Sequence, residues 1–180
     1  MNTILKGQAF RLFTEGTVFA AFDLETTGLD PKTNKIVEIG AVKFDKKGIV
    51  ARFSTLINPD MPMPAEAARV NKISDEMLKG KPTINEVLPD FFYFINGAAL
   101  IAHNAPFDLG FIDEAINKAF MKPLPNPVAD TLSISRQLFP DLTSHSLQNM
   151  AAFFKIDALD AHRAEDDARL CMEIFLRCVR

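Results

Sequence analysis

Cysteine is scarce in this chain: Cys171 and Cys178 are the only two among 180 residues. They stand seven residues apart in one helical pattern, roughly 10 Å along the axis, too far for a disulfide. They read as two buried thiols in a reducing compartment. Long hydrophobic runs are missing as well. No apolar stretch reaches the ~20 residues of a membrane span, so a soluble chain without a membrane partner is expected. The opening "MNTILKGQAFRLF" has neither the apolar core nor the small-residue cleavage site of a secretory signal, which points to a cytoplasmic setting. Positive charge is not in excess either. A net charge of −3 and a pI near 5.6 argue against a protein that clamps long duplex DNA electrostatically, which needs a basic face. They leave room for an enzyme that engages a few nucleotides through bound cations. There is no internal repeat, low-complexity tract or linker-like shift, so one domain with a sizeable core is expected.

What is present reads as a mixed α/β sheet. "VFAAFDLE", "IVEIGAVKFD" and "IVARFSTLI" are strands, the last two joined by a turn at "DKKG", and together they predict a three-stranded antiparallel meander. After the loop "NPDMPMP", short helices are expected from Ala65 and from Ser74. "TINEVLPDFFYFI" opens with the capping-box pair Thr83 and Glu86, and its Pro89 predicts a kink or an early break. "AALIAHN" is a fourth, buried strand, followed by a helix over "FDLGFIDEAINKAF". A short strand at "VAD", helices at "TLSISRQLF" and "SLQNMAAFF", and a long helix over "EDDARLCMEIFLRCV" complete the chain. Antiparallel strands followed by strand–helix alternation indicate a mixed sheet.

The stretch "VFAAFDLET" carries the first chemical clue. An apolar run suited to a strand buried on both faces ends in Asp23 and Glu25, at i and i+2 on one side. Their attachment points are only ~6–7 Å apart, where two carboxylates repel and resist ionisation. Helical phasing supplies two more acids. Asp108 stands one turn before Ile112, Ala115 and Ala119; Asp167 stands one turn before Cys171, Ile174 and Cys178. Each extends an apolar stripe toward the sheet, where a lone negative charge is costly. Four inward acids call for cations, and an all-oxygen donor set suits two Mg²⁺ or Mn²⁺ ions rather than zinc. Such a pair activates water and stabilises the leaving oxygen of a phosphodiester.

The three histidines separate by position. His162 lies five residues before Asp167, at the start of the last helix, where a neutral imidazole can take a proton from the attacking water. His103, in "IAHNAPFD", is expected to order its loop. His145, in "LTSHSL", is expected to be a solvated loop residue.

"FDLETTGLD", "HNAPFDLGF" and "HRAEDDA" together resemble the three motifs of the DnaQ-like, or DEDDh, 3′–5′ exonucleases, a family that includes proofreading subunits of bacterial replicative polymerases. The resemblance runs from about Thr17 to Arg180. It implies a ribonuclease H-like fold with a five-stranded mixed sheet flanked by helices, residues 1–16 forming an N-terminal extension and 17–180 the exonuclease domain. It further implies that Asp23, Glu25, Asp108 and Asp167 bind the metals, Asp23 bridging both, and that His162 is the general base. Thr26, Thr27, Gly28 and Leu29 would line the groove for the 3′-terminal nucleotide, with Asn104 and Phe107 beside it. The tyrosine that replaces the histidine in the sister DEDDy group is not there. "VNKIS" departs from the family, since Asn71 and Lys72 stand where many relatives have His-Gly. Asp130 is expected as a helix N-cap or a supporting acid, and Glu38 as a structural strand residue.

The expected function is metal-dependent release of nucleoside 5′-monophosphates from single-stranded or frayed DNA 3′ ends, in proofreading for a replicative polymerase as possible partner. Trimming of RNA 3′ ends is the alternative within the family. A catalytically silent, polymerase-associated interaction domain is the alternative outside it, and the presence of all five residues stands against it.

Overall fold

The computed structural model describes residues 2–119, 121–159 and 162–179. Three antiparallel strands form the expected meander: β2 (Phe19–Thr26), β3 (Ile36–Asp45) and β4 (Gly48–Leu56). β5 (Ala99–Ala102) lies parallel to β2, and β6 (Pro127–Asp130) parallel to β5. These five strands are the mixed sheet that the alternation predicts. The two residues of β1 (Asn2–Thr3) add a sixth, parallel edge beside β6, giving the order β1-β6-β5-β2-β3-β4. The stretch expected as an N-terminal extension thus contributes β1 and the helix α1 (Lys6–Thr14). Ile4 and Ala9 share an apolar cluster with Phe19 and Phe175.

The remaining helices are α2 (Ala65–Asn71), α3 (Asp75–Leu78), α4 (Ile84–Ile95), α5 (Ala105–Lys118), α6 (Thr131–Leu138), α7 (Leu147–Phe154) and α8 (Ala164–Val179). α5 begins two residues before the expected Phe107, with Pro106 in its first turn. The last residue of that expected helix, Phe120, lies outside the described residues. α4 passes Pro89 without the expected break, and its capping box forms, the Thr83 N–H donating to Glu86 at 2.7 Å. Pro89 and Asn85 both lie on the exposed face, so the carbonyl deprived of its N–H partner can bond water. No helix among the described residues is long and apolar enough to cross a membrane. Cys171 and Cys178 are both buried free thiols on α8, as their spacing requires.

The period-2 alternation of β2 sorts its side chains between two cores. Phe19 and Ala21 face α1, α7 and α8, with Val42, Phe44 and Phe175. Ala20, Phe22 and Leu24 face α4 and α5, with Phe91, Leu109 and Ile112. Continuing the alternation puts Asp23 and Glu25 on the α8 side. Each core face is therefore apolar until the strand reaches its C-terminal end, where one face turns acidic.

Candidate active site

Three carboxylates meet at that end. Asp23 and Glu25 from β2 and Asp167 from the first turn of α8 each offer an oxygen, and these oxygens lie within 4.8 Å of one another, a set that could hold a metal ion. Glycine at position 40 brings α8 so close. Gly40 pairs with Asp23 across the β2–β3 ladder, and the backbone of Ala164 and Glu165 occupies the space where a β-carbon would sit. Asp167 is 6 % exposed and has two donors: Gln148 Nε2 of α7 at 3.1 Å and the backbone N–H of His162.

Asp108 comes from the opposite layer. It sits in the first turn of α5, is 2 % exposed, and accepts the backbone N–H of Leu24 as well as its own. Phasing along α5 and α8 thus places both aspartates inward, and the structure brings Asp108 against Asp23. Its carboxylate stands beside the group formed by Asp23, Glu25 and Asp167 rather than within it.

The electrostatics follow from the crowding. Burial holds the Asp23 carboxyl well above the ordinary carboxylate range, and the charges of Asp108, Asp167, Glu25 and Glu38 add to the effect. Glu25 is pushed up to about 8, first by burial and then by Asp167, Glu38 and Asp108, with Arg163 opposing. Burial also raises Asp108, against the pull of its two N–H donors. Asp167 is raised to about 6 by burial, moderated by His162 and its hydrogen bonds. Crowding of this kind disfavours the charged carboxylates, and a divalent cation would supply the missing positive charge.

His162 is exposed, one turn ahead of Asp167, with a left-handed backbone at φ 65°. Of the loop expected to line a groove, Thr26 and Thr27 are buried. The Thr26 hydroxyl donates to the Gly28 carbonyl at 2.7 Å, and the Thr27 hydroxyl accepts the Lys35 N–H at 2.9 Å. A β-carbon on Gly28 would collide with the Asn34 side chain. Leu29 projects into solvent, 83 % exposed. Asn104 is exposed at the start of α5, and Phe107 packs on Phe111 with ring centroids 5.2 Å apart. Asn71, the departure noted in "VNKIS", is buried and donates to the Thr26 carbonyl at 3.3 Å, so it braces this same loop.

His103 bonds Thr131 Oγ1 through Nδ1 at 2.9 Å and the His145 carbonyl through Nε2 at 2.8 Å, ordering its loop. His145 differs from the expectation of a solvated residue: it is half-buried, its Nε2 2.9 Å from the Phe139 carbonyl, because the turn folds back over α6. Asp130 caps α6 through the Leu132 N–H at 3.1 Å and also accepts the Asn104 N–H at 2.9 Å, tying two helix starts together. Glu38 bonds Arg163 and the Ala164 N–H, a structural partner rather than an open ligand. Sequence reading passed over Gln148. The same phasing applies to it, since it stands three residues before the buried Ala151, but a single amide carries no charge to draw attention.

The family model described as RNase_T, exonuclease, matches residues 20–175. The DNA polymerase III subunit epsilon of Treponema pallidum is 48% identical over 163 residues, covering 89% of this chain and 76% of the relative. The PolC-type DNA polymerase III of Caldanaerobacter subterraneus is 43% identical over 88% of this chain, which spans 11% of that much longer protein. Exonuclease X, solved in complex with 5′ overhanging duplex DNA, superposes with a TM-score of 0.71 at 26% identity, over 89% of this chain and 90% of its own. Escherichia coli exonuclease I, solved with a dT13 oligonucleotide, gives a TM-score of 0.79 at 17% identity over 89% of this chain and 41% of its own, a likeness of fold. The chain belongs to this exonuclease family, as a 3′–5′ exonuclease domain of the epsilon kind.

Proposed function

We propose that this domain removes nucleoside 5′-monophosphates one at a time from single-stranded or frayed DNA 3′ ends, as the proofreading component of a replicative polymerase assembly. The observation that carries the reading is the convergence of Asp23, Glu25 and Asp167 within 4.8 Å, at the end of a core strand and with Asp108 against it. The epsilon subunit and PolC-type relatives support the polymerase setting, and the DNA held by exonuclease X supports DNA as substrate.

Asp23, Glu25, Asp108 and Asp167 would hold two divalent cations, Mg²⁺ or Mn²⁺. The donor set fits such ions: all oxygen, and short of positive charge. Bound there, the cations supply Lewis acidity toward water and the phosphodiester. His162 takes the proton from the attacking water as its oxygen bonds to the terminal phosphorus. The bond from phosphorus to the 3′ oxygen breaks and that oxygen takes a proton from solvent, leaving a free 3′-hydroxyl and a 5′-monophosphate. Exposure of His162 lets the imidazole pass that proton to solvent. Leu29, Asn104 and Phe107 would line the groove for the 3′-terminal nucleotide, an aliphatic and an aromatic surface that suit a terminal base without sequence preference.

The test compares matched DNA and RNA oligonucleotides labelled at the 5′ end, with Mg²⁺ and with Mn²⁺. Stepwise shortening of the DNA ladder with release of 5′-monophosphates is expected. Faster trimming of the RNA would move the substrate to RNA, and no shortening with either metal would overturn the reading.

A further inference from the structure

Glu38 stands directly opposite Glu25 in the β2–β3 register and on the same face, yet it is 1 % exposed and turned to an arginine. Arg163 Nε lies 3.2 Å from both of its oxygens, and Arg163 Nη2 lies 2.7 Å from Oε1. The Ala164 N–H donates to Oε2 at 3.2 Å. Two residues along the same strand face, Gly40 receives the backbone of Ala164 and Glu165. β3 therefore grips the chain at two successive points, immediately after His162.

His162 needs such a grip. It has a β-carbon, yet its φ is 65°, a conformation that such residues keep only where the surroundings impose it. Its ring is exposed, so packing does not aim it; its own backbone and the residues that follow it do. That backbone is fixed by the His162 N–H on Asp167 and by the hold on residues 163 and 164.

We propose that the Glu38–Arg163 pair is a positioning device for the proton acceptor, setting the backbone at 162–164 so that the imidazole of His162 meets the acidic cluster. Neither residue touches the reacting atoms. The planar fork of Arg163 fixes an orientation that a lysine could not, so charge alone does not reproduce its role. The inference rests on the role proposed for His162.

A double-mutant cycle tests it, read as kcat and KM on a 5′-labelled DNA oligonucleotide, with Mn²⁺ affinity and thermal stability measured for each variant. Arg163→Gln is expected to lower kcat ~10–100-fold, the range for residues that orient a working group. KM and Mn²⁺ affinity should stay within about twofold. Arg163→Lys should recover little of the loss, and it serves in the cycle if the Gln variant does not fold. In a His162→Ala background either substitution should cost nothing further. An equal loss in both backgrounds, with His162→Ala itself impaired, would overturn this inference and leave the proposed function standing. Full activity of His162→Ala would remove the proton-acceptor role and this inference with it.

Discussion

The backbone of Ala164 fills the place of a β-carbon on Gly40, so strand β3 and the start of helix α8 touch without a side chain between them. That contact sets Asp167 against Asp23. Gly40→Ala should push α8 off the sheet, because the obstacle is backbone on both sides and no rotamer can give way. A destabilisation of about 3 kcal/mol is expected in denaturant unfolding, with Mn²⁺ affinity lost along with it. A variant of wild-type stability would show that α8 can shift freely.

Asp23 is the most crowded acid of the site, with charge contributions from four other carboxylates. Asp23→Asn should abolish exonuclease activity while raising the metal-free melting temperature, by about 2–4 °C for each kcal/mol of repulsion removed. Nuclease assay and calorimetry check the two halves; an active Asn variant would rule out Asp23 as an essential ligand.

The raised acids give the metal-free protein a definite pH dependence. Glu25 titrates near 8 in the fold against 4.5 ordinarily, and Asp167 near 6 against 3.8. Between those limits the native state holds protons that the unfolded chain has released, so stability is greatest below about pH 4 from these groups and falls as pH rises to 8. With EDTA present, the melting temperature should decline from pH 5 to 8 by roughly 10 °C or more, up to about 5 kcal/mol in stability. Saturating Mn²⁺ should flatten or reverse that slope. A flat metal-free profile would refute the crowding.

His162→Ala should bind Mn²⁺ almost normally and lose a factor of ~10²–10⁴ in single-turnover rate, the contribution of a general base. Titration calorimetry and rapid quench separate the two effects. Loss of Mn²⁺ binding would instead make the histidine part of the metal site.

Gln148 orients Asp167 through a bond of 3.1 Å. Gln148→Leu keeps the volume and removes the donor, and should weaken Mn²⁺ affinity ~10-fold without altering the fold, as loss of a group supporting a ligand does. Unchanged affinity would mean that the His162 N–H suffices.

Local rules made much of this molecule legible in its sequence. The alternation of "VFAAFDLE" gives β2, its two faces and the pairing of Asp23 with Glu25 on one of them. Helical phasing turns Asp108 and Asp167 inward, where they are 2 % and 6 % exposed. Pro89 did not bring an early break, because its cost depends on whether the freed carbonyl can reach water, and that is settled by which face of α4 is exposed. His145 is a similar case: a polar turn reads as solvated until it is seen folded over α6.

From Phe19 onward, strand and helix periods, being properties of the local chain, were enough to give the main elements, their buried faces and the identity of the acids. Which acids share one ion-sized space is a matter of how the layers pack, as is the place of Asp108 beside it, bonded to Leu24. Packing also decided that Glu38 answers to Arg163, 125 residues away, and that Gly40 is the gap through which α8 approaches. Those relations join residues distant along the chain across a sheet, and no local period encodes the distance at which two separately buried faces come to rest.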